Sequence, residues 1–88
     1  MIIYTGRQLL GREIEISPLG EDGGPRTHAA VRERPVRDGT FHSAVYPDLC
    51  AGLYTVWWDE MRSAGTVTVA GGGVAEFVWP TRDSPPAD

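Results

Sequence analysis

At 88 residues the chain has room for one small domain, and its 41% hydrophobic and 23% charged residues are those of a globular protein rather than a disordered acidic tract. All eight basic residues are arginine, and the absence of lysine and asparagine excludes Schiff-base lysine chemistry, lysine–asparagine cross-links and N-glycosylation together. The formal charge of −4 speaks against nucleic acid as the main partner.

Eleven glycines and seven prolines punctuate short segments along the chain. The first predicted strand covers residues 2–5. The second covers residues 12–16, where strict alternation sets Ile14 and Ile16 on one face and charged residues on the other. Residues 18–25 then form a polar loop. Residues 28–34 have helix-compatible side chains, but Pro35 closes the segment after seven residues, which favours a strand over residues 29–37. Asp38-Gly39 suits the centre of a type I′ turn and predicts a hairpin to a strand at residues 40–46. After the loop at residues 47–52, the β-branched and aromatic run at residues 53–58 reads as a central strand. Residues 66–69 and 74–79 complete the set around the Gly71-Gly72-Gly73 turn. Residues 1–80 thus read as one domain, and residues 81–88 as a frayed tail. The expected fold is all-β: an antiparallel, Greek-key-like β-sandwich of about seven short strands.

A sandwich this short buries only about 60–65% of its unfolded surface, and Cys50 stands alone, so no internal disulfide reinforces it. Packing or association must supply the stability. Residues 1–7 lack the basic start and apolar stretch of a signal peptide, and no apolar run reaches the roughly 20 residues of a membrane span. A cytoplasmic, soluble protein is expected, with no membrane partner.

The stretch Asp38-Gly39-Thr40-Phe41, followed by Leu49-Cys50-Ala51-Gly52-Leu53-Tyr54-Thr55-Val56, resembles the signature of the prealbumin-like β-sandwiches. These include the collagen-adhesin B-type repeats and the carboxypeptidase regulatory-like domains. Ala44, Tyr46, Leu49, Gly52 and Tyr54 fall at the family's spacings. Gly11 to Ile16 looks like its second motif strand, and residues 65–69 with 73–79 look like its last hairpin, so the likeness covers nearly all of residues 10–79. The resemblance implies a structural role for Gly52 and Tyr54. It does not bring the family's chemistry with it. The lysine–asparagine isopeptide bond of the adhesin repeats cannot form here, and the ending Ser84-Pro85-Pro86-Ala87-Asp88 is not the Tyr-Arg-Gly-Ser tail of the related hydroxyisourate hydrolases.

No catalytic residues, metal ligands or cofactors are expected. His28, His42, Asp48 and Cys50 match no metal-ligand spacing, and a blue-copper site would need a histidine between Cys50 and Met61. Cys50 with His42, or Ser43 with His42 and Asp48, lack an orienting third group or a nucleophile elbow. The residues left to explain are arginines and tryptophans. Arg26, Arg32, Arg34 and Arg37 against Glu33 give residues 26–37 a charge of +3, leaving −7 elsewhere. Arg32 and Arg34 share a strand face, either offered to an acidic group or paired with Glu13 or Glu15.

Adjacent strand residues point to opposite faces, so with Tyr54, Val56 and Trp58 inward, Trp57 lies outward, with Trp79 near it or inside. Trp57, Arg32, Arg34 and Trp79 are therefore the expected contact residues of a non-catalytic interaction or accessory module that binds a protein or a second copy of itself. On this reading Trp57→Ser weakens assembly and leaves the fold intact. The alternative is a domain that binds a carbohydrate or small anionic ligand through an exposed tryptophan and the arginine patch.

Overall fold

Alternating residues carry their facing into three dimensions. A computed structural model describes residues 1–20, 26–71 and 74–81. It contains β1 (Ile2–Thr5), β2 (Glu13–Pro18), β3 (Thr27–Ala30), β4 (Arg32–Val36), β5 (Gly39–Val45), β6 (Gly52–Trp57), β7 (Ser63–Val69) and β8 (Glu76–Val78), with a 3-10 turn at Arg7–Leu9. The strands form two four-stranded sheets, β4-β5-β1-β8 and β3-β2-β6-β7. They pack as a sandwich around Ile3, Ala44 and Tyr46 from one side and Ile14, Ile16, Val56, Val67 and Val69 from the other. Each fully buried isoleucine or valine contributes about 1.5–3 kcal/mol by leaving water. The fold is all-β as expected, and its pairings are antiparallel except that β8 runs parallel to β1.

Several local expectations are corrected. The single strand expected over residues 29–37 divides at Val31, giving eight strands among the described residues rather than about seven. β3 pairs with β2 in one sheet, whereas β4 pairs with β5 in the other. Val31 is the crossing point: its side chain enters the core, its N–H donates to the Arg12 carbonyl and its carbonyl accepts from the Gly11 N–H, both at 2.9 Å. The hairpin exists, but its two-residue loop is Arg37-Asp38, because Gly39 already pairs with Val36. Neither loop residue has a positive φ, so the turn is not type I′. The positive φ, +151°, falls on Gly39 as the chain enters β5.

The last strand is shorter than expected, three residues instead of six, and β7 begins earlier, at Ser63. Residues 21–25 of the expected polar loop, Gly72 and Gly73 of the glycine turn, and residues 82–88 of the tail lie outside the described residues.

The corner leading into β6 has the form that Gly52 and Tyr54 imply. The Tyr54 hydroxyl donates to the Cys50 carbonyl at 2.7 Å, closing the loop back on itself as in a tyrosine corner. Gly52 sits at φ +151°, where a side chain meets no neighbour but strains its own backbone. Gly52→Val is therefore expected to cost about 1–3 kcal/mol, and Thr55→Val, in ordinary extended backbone, less than about 1 kcal/mol. Urea midpoints of the two variants check this, and equal midpoints contradict it.

Edge strands are handled unequally. β4 carries Arg32, Glu33, Arg34 and Pro35, the charge and proline pattern that discourages edge pairing. β3 and β8 are short. β7 has seven residues and no charge.

Candidate functional site

The two tryptophans singled out by sequence are both covered. Trp57 does lie on the outer face of its sheet, in phase with Thr55 of β6 and opposite in phase to the buried Val56. It is nevertheless only 8% exposed, so the expectation of an open indole is corrected. Arg26 lies across the ring with its guanidinium carbon 3.8 Å from the centroid. Three groups hold that guanidinium: Nη1 donates to Glu15 Oε1 at 3.0 Å and to the Asp59 carbonyl at 3.2 Å, and Nη2 donates to the Glu60 carbonyl at 2.7 Å. The indole N–H is used as well, donating to Ser17 Oγ at 2.9 Å.

The turn that offers those carbonyls is itself pinned by Asp59. Its Oδ1 accepts the Met61 and Arg62 amides at 2.9 and 2.8 Å, and its Oδ2 accepts Arg62 Nε at 2.8 Å. The Arg62 guanidinium, followed by these amides, pulls the Asp59 carboxyl down to about 2. Trp57, Arg26, Glu15 and the turn at residues 59–62 thus form one structural lock.

Trp79 is a core residue, stacked on Trp58 with centroids 5.2 Å apart and planes 24° from parallel. Arg12 covers it from outside at 5.4 Å and also donates to the Trp58 carbonyl. An arginine caps each arrangement, so neither Trp57 nor Trp79 presents a free ring.

Arg32 and Arg34 are placed differently. Pairing with Glu13 or Glu15 does not occur, because β4 lies in the opposite sheet and Arg26 takes Glu15. Instead both arginines stand on the outer face of the β4-β5-β1-β8 sheet. Arg32 is level with Ser43, Arg34 with Phe41, and Val36 follows in the same phase. Across β5 and β1, Ser43 is level with Tyr4 and Val45 with Ile2; across β8, Tyr4 is level with Val78 and Ile2 with Glu76.

The result is an apolar sheet face open to solvent. Phe41 is 55% exposed, Val78 72%, and Val36 and Val45 are exposed too. The Tyr4 and Phe41 rings meet edge to face at 6.0 Å. Arg34 Nε donates to Ser43 Oγ at 3.4 Å, and with Ile2, Tyr4, Phe41 and Val45 these residues line a shallow concavity. The Tyr4 hydroxyl donates to Glu76 Oε2 at 2.6 Å, and that bond to a carboxylate raises the tyrosine pKa above its ordinary value.

No protein-family model, curated protein or solved structure matches this chain. His28 and His42 lie in different sheets, and His28 is 3.9 Å from Glu13 in an exposed pair. Ser43 Oγ faces an arginine rather than a histidine, and Cys50 is exposed on its loop. Among the described residues no three His, Cys, Asp or Glu side chains converge on a point, and no helix is long and apolar enough to cross a membrane.

The residues that sequence reading missed are Phe41, Val45, Val78, Ile2 and Tyr4. A signal for them was present. Ala44 and Tyr46 take the inward phase of β5, which forces Phe41 and Val45 outward. An apolar residue in both phases of a strand marks a sheet with something to bury on each side.

Proposed function

We propose that this chain is a non-catalytic protein-interaction module, cytoplasmic and accessory in character, whose contact surface is the outer face of the β4-β5-β1-β8 sheet. One observation carries the reading: exposed apolar side chains gather on that face, with Phe41 and Val45 on the inner strand β5, Val78 on the edge strand β8, and Arg32 and Arg34 on the opposite rim. Contiguous apolar patches rimmed by polar groups are features of binding surfaces, and aromatic and arginine side chains are enriched at their energetic centres. A role without catalysis is supported by Ser43 facing an arginine in a shallow concavity and by Cys50 standing exposed on its loop. The glycine–tyrosine corner at Gly52 and Tyr54 supports the prealbumin-like resemblance as part of the same reading. The alternative, a carbohydrate or small anionic ligand, would have to rely on Arg34, Tyr4 and Phe41 around the concavity, since Arg26 occupies the Trp57 ring.

Oxidative footprinting in extract of the source cells tests this reading. Met61, 87% exposed in the turn between β6 and β7 of the other sheet, serves as the internal standard. Relative to Met61, Phe41 and Tyr4 are expected to label several-fold more slowly in extract, or in purified protein at about 500 µM, than in dilute purified protein. Equal relative labelling in all three samples contradicts the proposal.

A further inference from the structure

The contact face has a charge layout that selects its occupant. One edge strand, β4, carries Arg32 and Arg34, and the opposite edge strand, β8, carries Glu76. Between them β5 and β1 present Phe41, Ser43, Val45, Ile2 and Tyr4, none of which is charged. We propose that the occupant is a second copy of this chain, seated face to face about a two-fold axis parallel to the strands. The inference rests on the reading of this face as a contact surface.

An axis parallel to the strands exchanges the two edges, so β4 of each copy lies over β8 of the other. The neutral centre then meets a neutral centre. Each arginine edge meets a carboxylate edge twice over, as an isologous interface requires. An axis across the strands would instead lay arginine over arginine and Glu76 over Glu76, and the like charges would oppose it.

Levels along the strands single out Arg32. It is level with Ser43, Tyr4 and Val78, and Glu76 is level with Ile2, one step of two residues away. That step is about 6.8 Å, a gap that an arginine side chain spans. Arg34 is two residues further off.

Size sets the strength. Four strands about 4.8 Å apart and about five residues long give a face of about 300 Å² in projection. Two such faces total about 600 Å² in projection, below the size of stable specific complexes and in the range of transient ones, so the dimer is weak and reversible. Association should therefore be followed up to about 500 µM, where a dissociation constant near 100 µM is read directly.

Sedimentation velocity on the wild type, Arg32→Glu, Glu76→Arg and a one-to-one mixture of the two variants tests the inference. The wild type is expected to dimerise reversibly, and each charge reversal alone to weaken that association about tenfold or more. In the mixture both crossed pairs again join opposite charges, so heterodimers form with an affinity within about threefold of wild type. A wild type that stays monomeric overturns the second-copy inference alone, and the footprinting in extract then decides the contact reading separately. A dimer indifferent to both reversals, joined for instance along β7, overturns it as well. So does a mixture that fails to recover.

Discussion

Trp57→Ser is expected to lower the unfolding free energy by about 3–5 kcal/mol, the range for removing a buried large aromatic side chain. The indole fills the space under Arg26, and its N–H satisfies Ser17 Oγ. Serine restores neither. It also leaves the Arg26 guanidinium without the ring beneath it, an arrangement that contributes about 1–2 kcal/mol when sheltered from solvent. A domain of this size has about 5–10 kcal/mol of stability in total, so the variant sits near the limit of folding. Urea titration followed by far-UV circular dichroism measures the loss. A midpoint corresponding to less than about 1 kcal/mol of destabilisation would show that the Arg26–Trp57 lock is not structural. The expectation from sequence, assembly lost with the fold intact, is thereby reversed.

How far the sequence could be read depended on the range of the interaction that decides each feature. Ile14 and Ile16, like Tyr54 and Val56, reveal their buried phase within a few residues, and each is buried in the core. The all-β class follows from such local alternation. Val31 does not announce itself in that way. Its neighbours continue an extended pattern, and only the Gly11 and Arg12 backbone, some twenty positions earlier, turns the chain from one sheet to the other.

The lock on Trp57 is similarly distant. Arg26 comes 31 positions before the ring it covers and takes its carbonyl partners from residues 59 and 60. Strand phase placed Trp57 on the outer face but carried no information about what lies over it. The arginine patch was legible as charge, but its location required knowing that β4 leaves the sheet of Glu13 and Glu15. Hydroxyl partners belong to the same long-range class: Tyr46 donates to the Ile14 carbonyl at 2.5 Å across the core, and burial, followed by the Glu15 charge, pushes its pKa far up.

The proposed association runs through the outer face of the β4-β5-β1-β8 sheet, whereas the tryptophans hold the fold. Phe41→Asp separates the two roles. Phe41 projects into solvent opposite Arg34, so an aspartate there faces a guanidinium and is expected to cost the fold less than about 1 kcal/mol. In an interface the same carboxylate replaces a large apolar anchor with a charge, a change that costs about 2 kcal/mol or more, or about thirtyfold in affinity. The decisive measurement is sedimentation equilibrium of wild type and Phe41→Asp over one concentration range, with urea midpoints taken on the same samples. Near-equal midpoints are expected, with association weakened about thirtyfold or lost. Undiminished association in the Phe41→Asp protein would contradict the proposal.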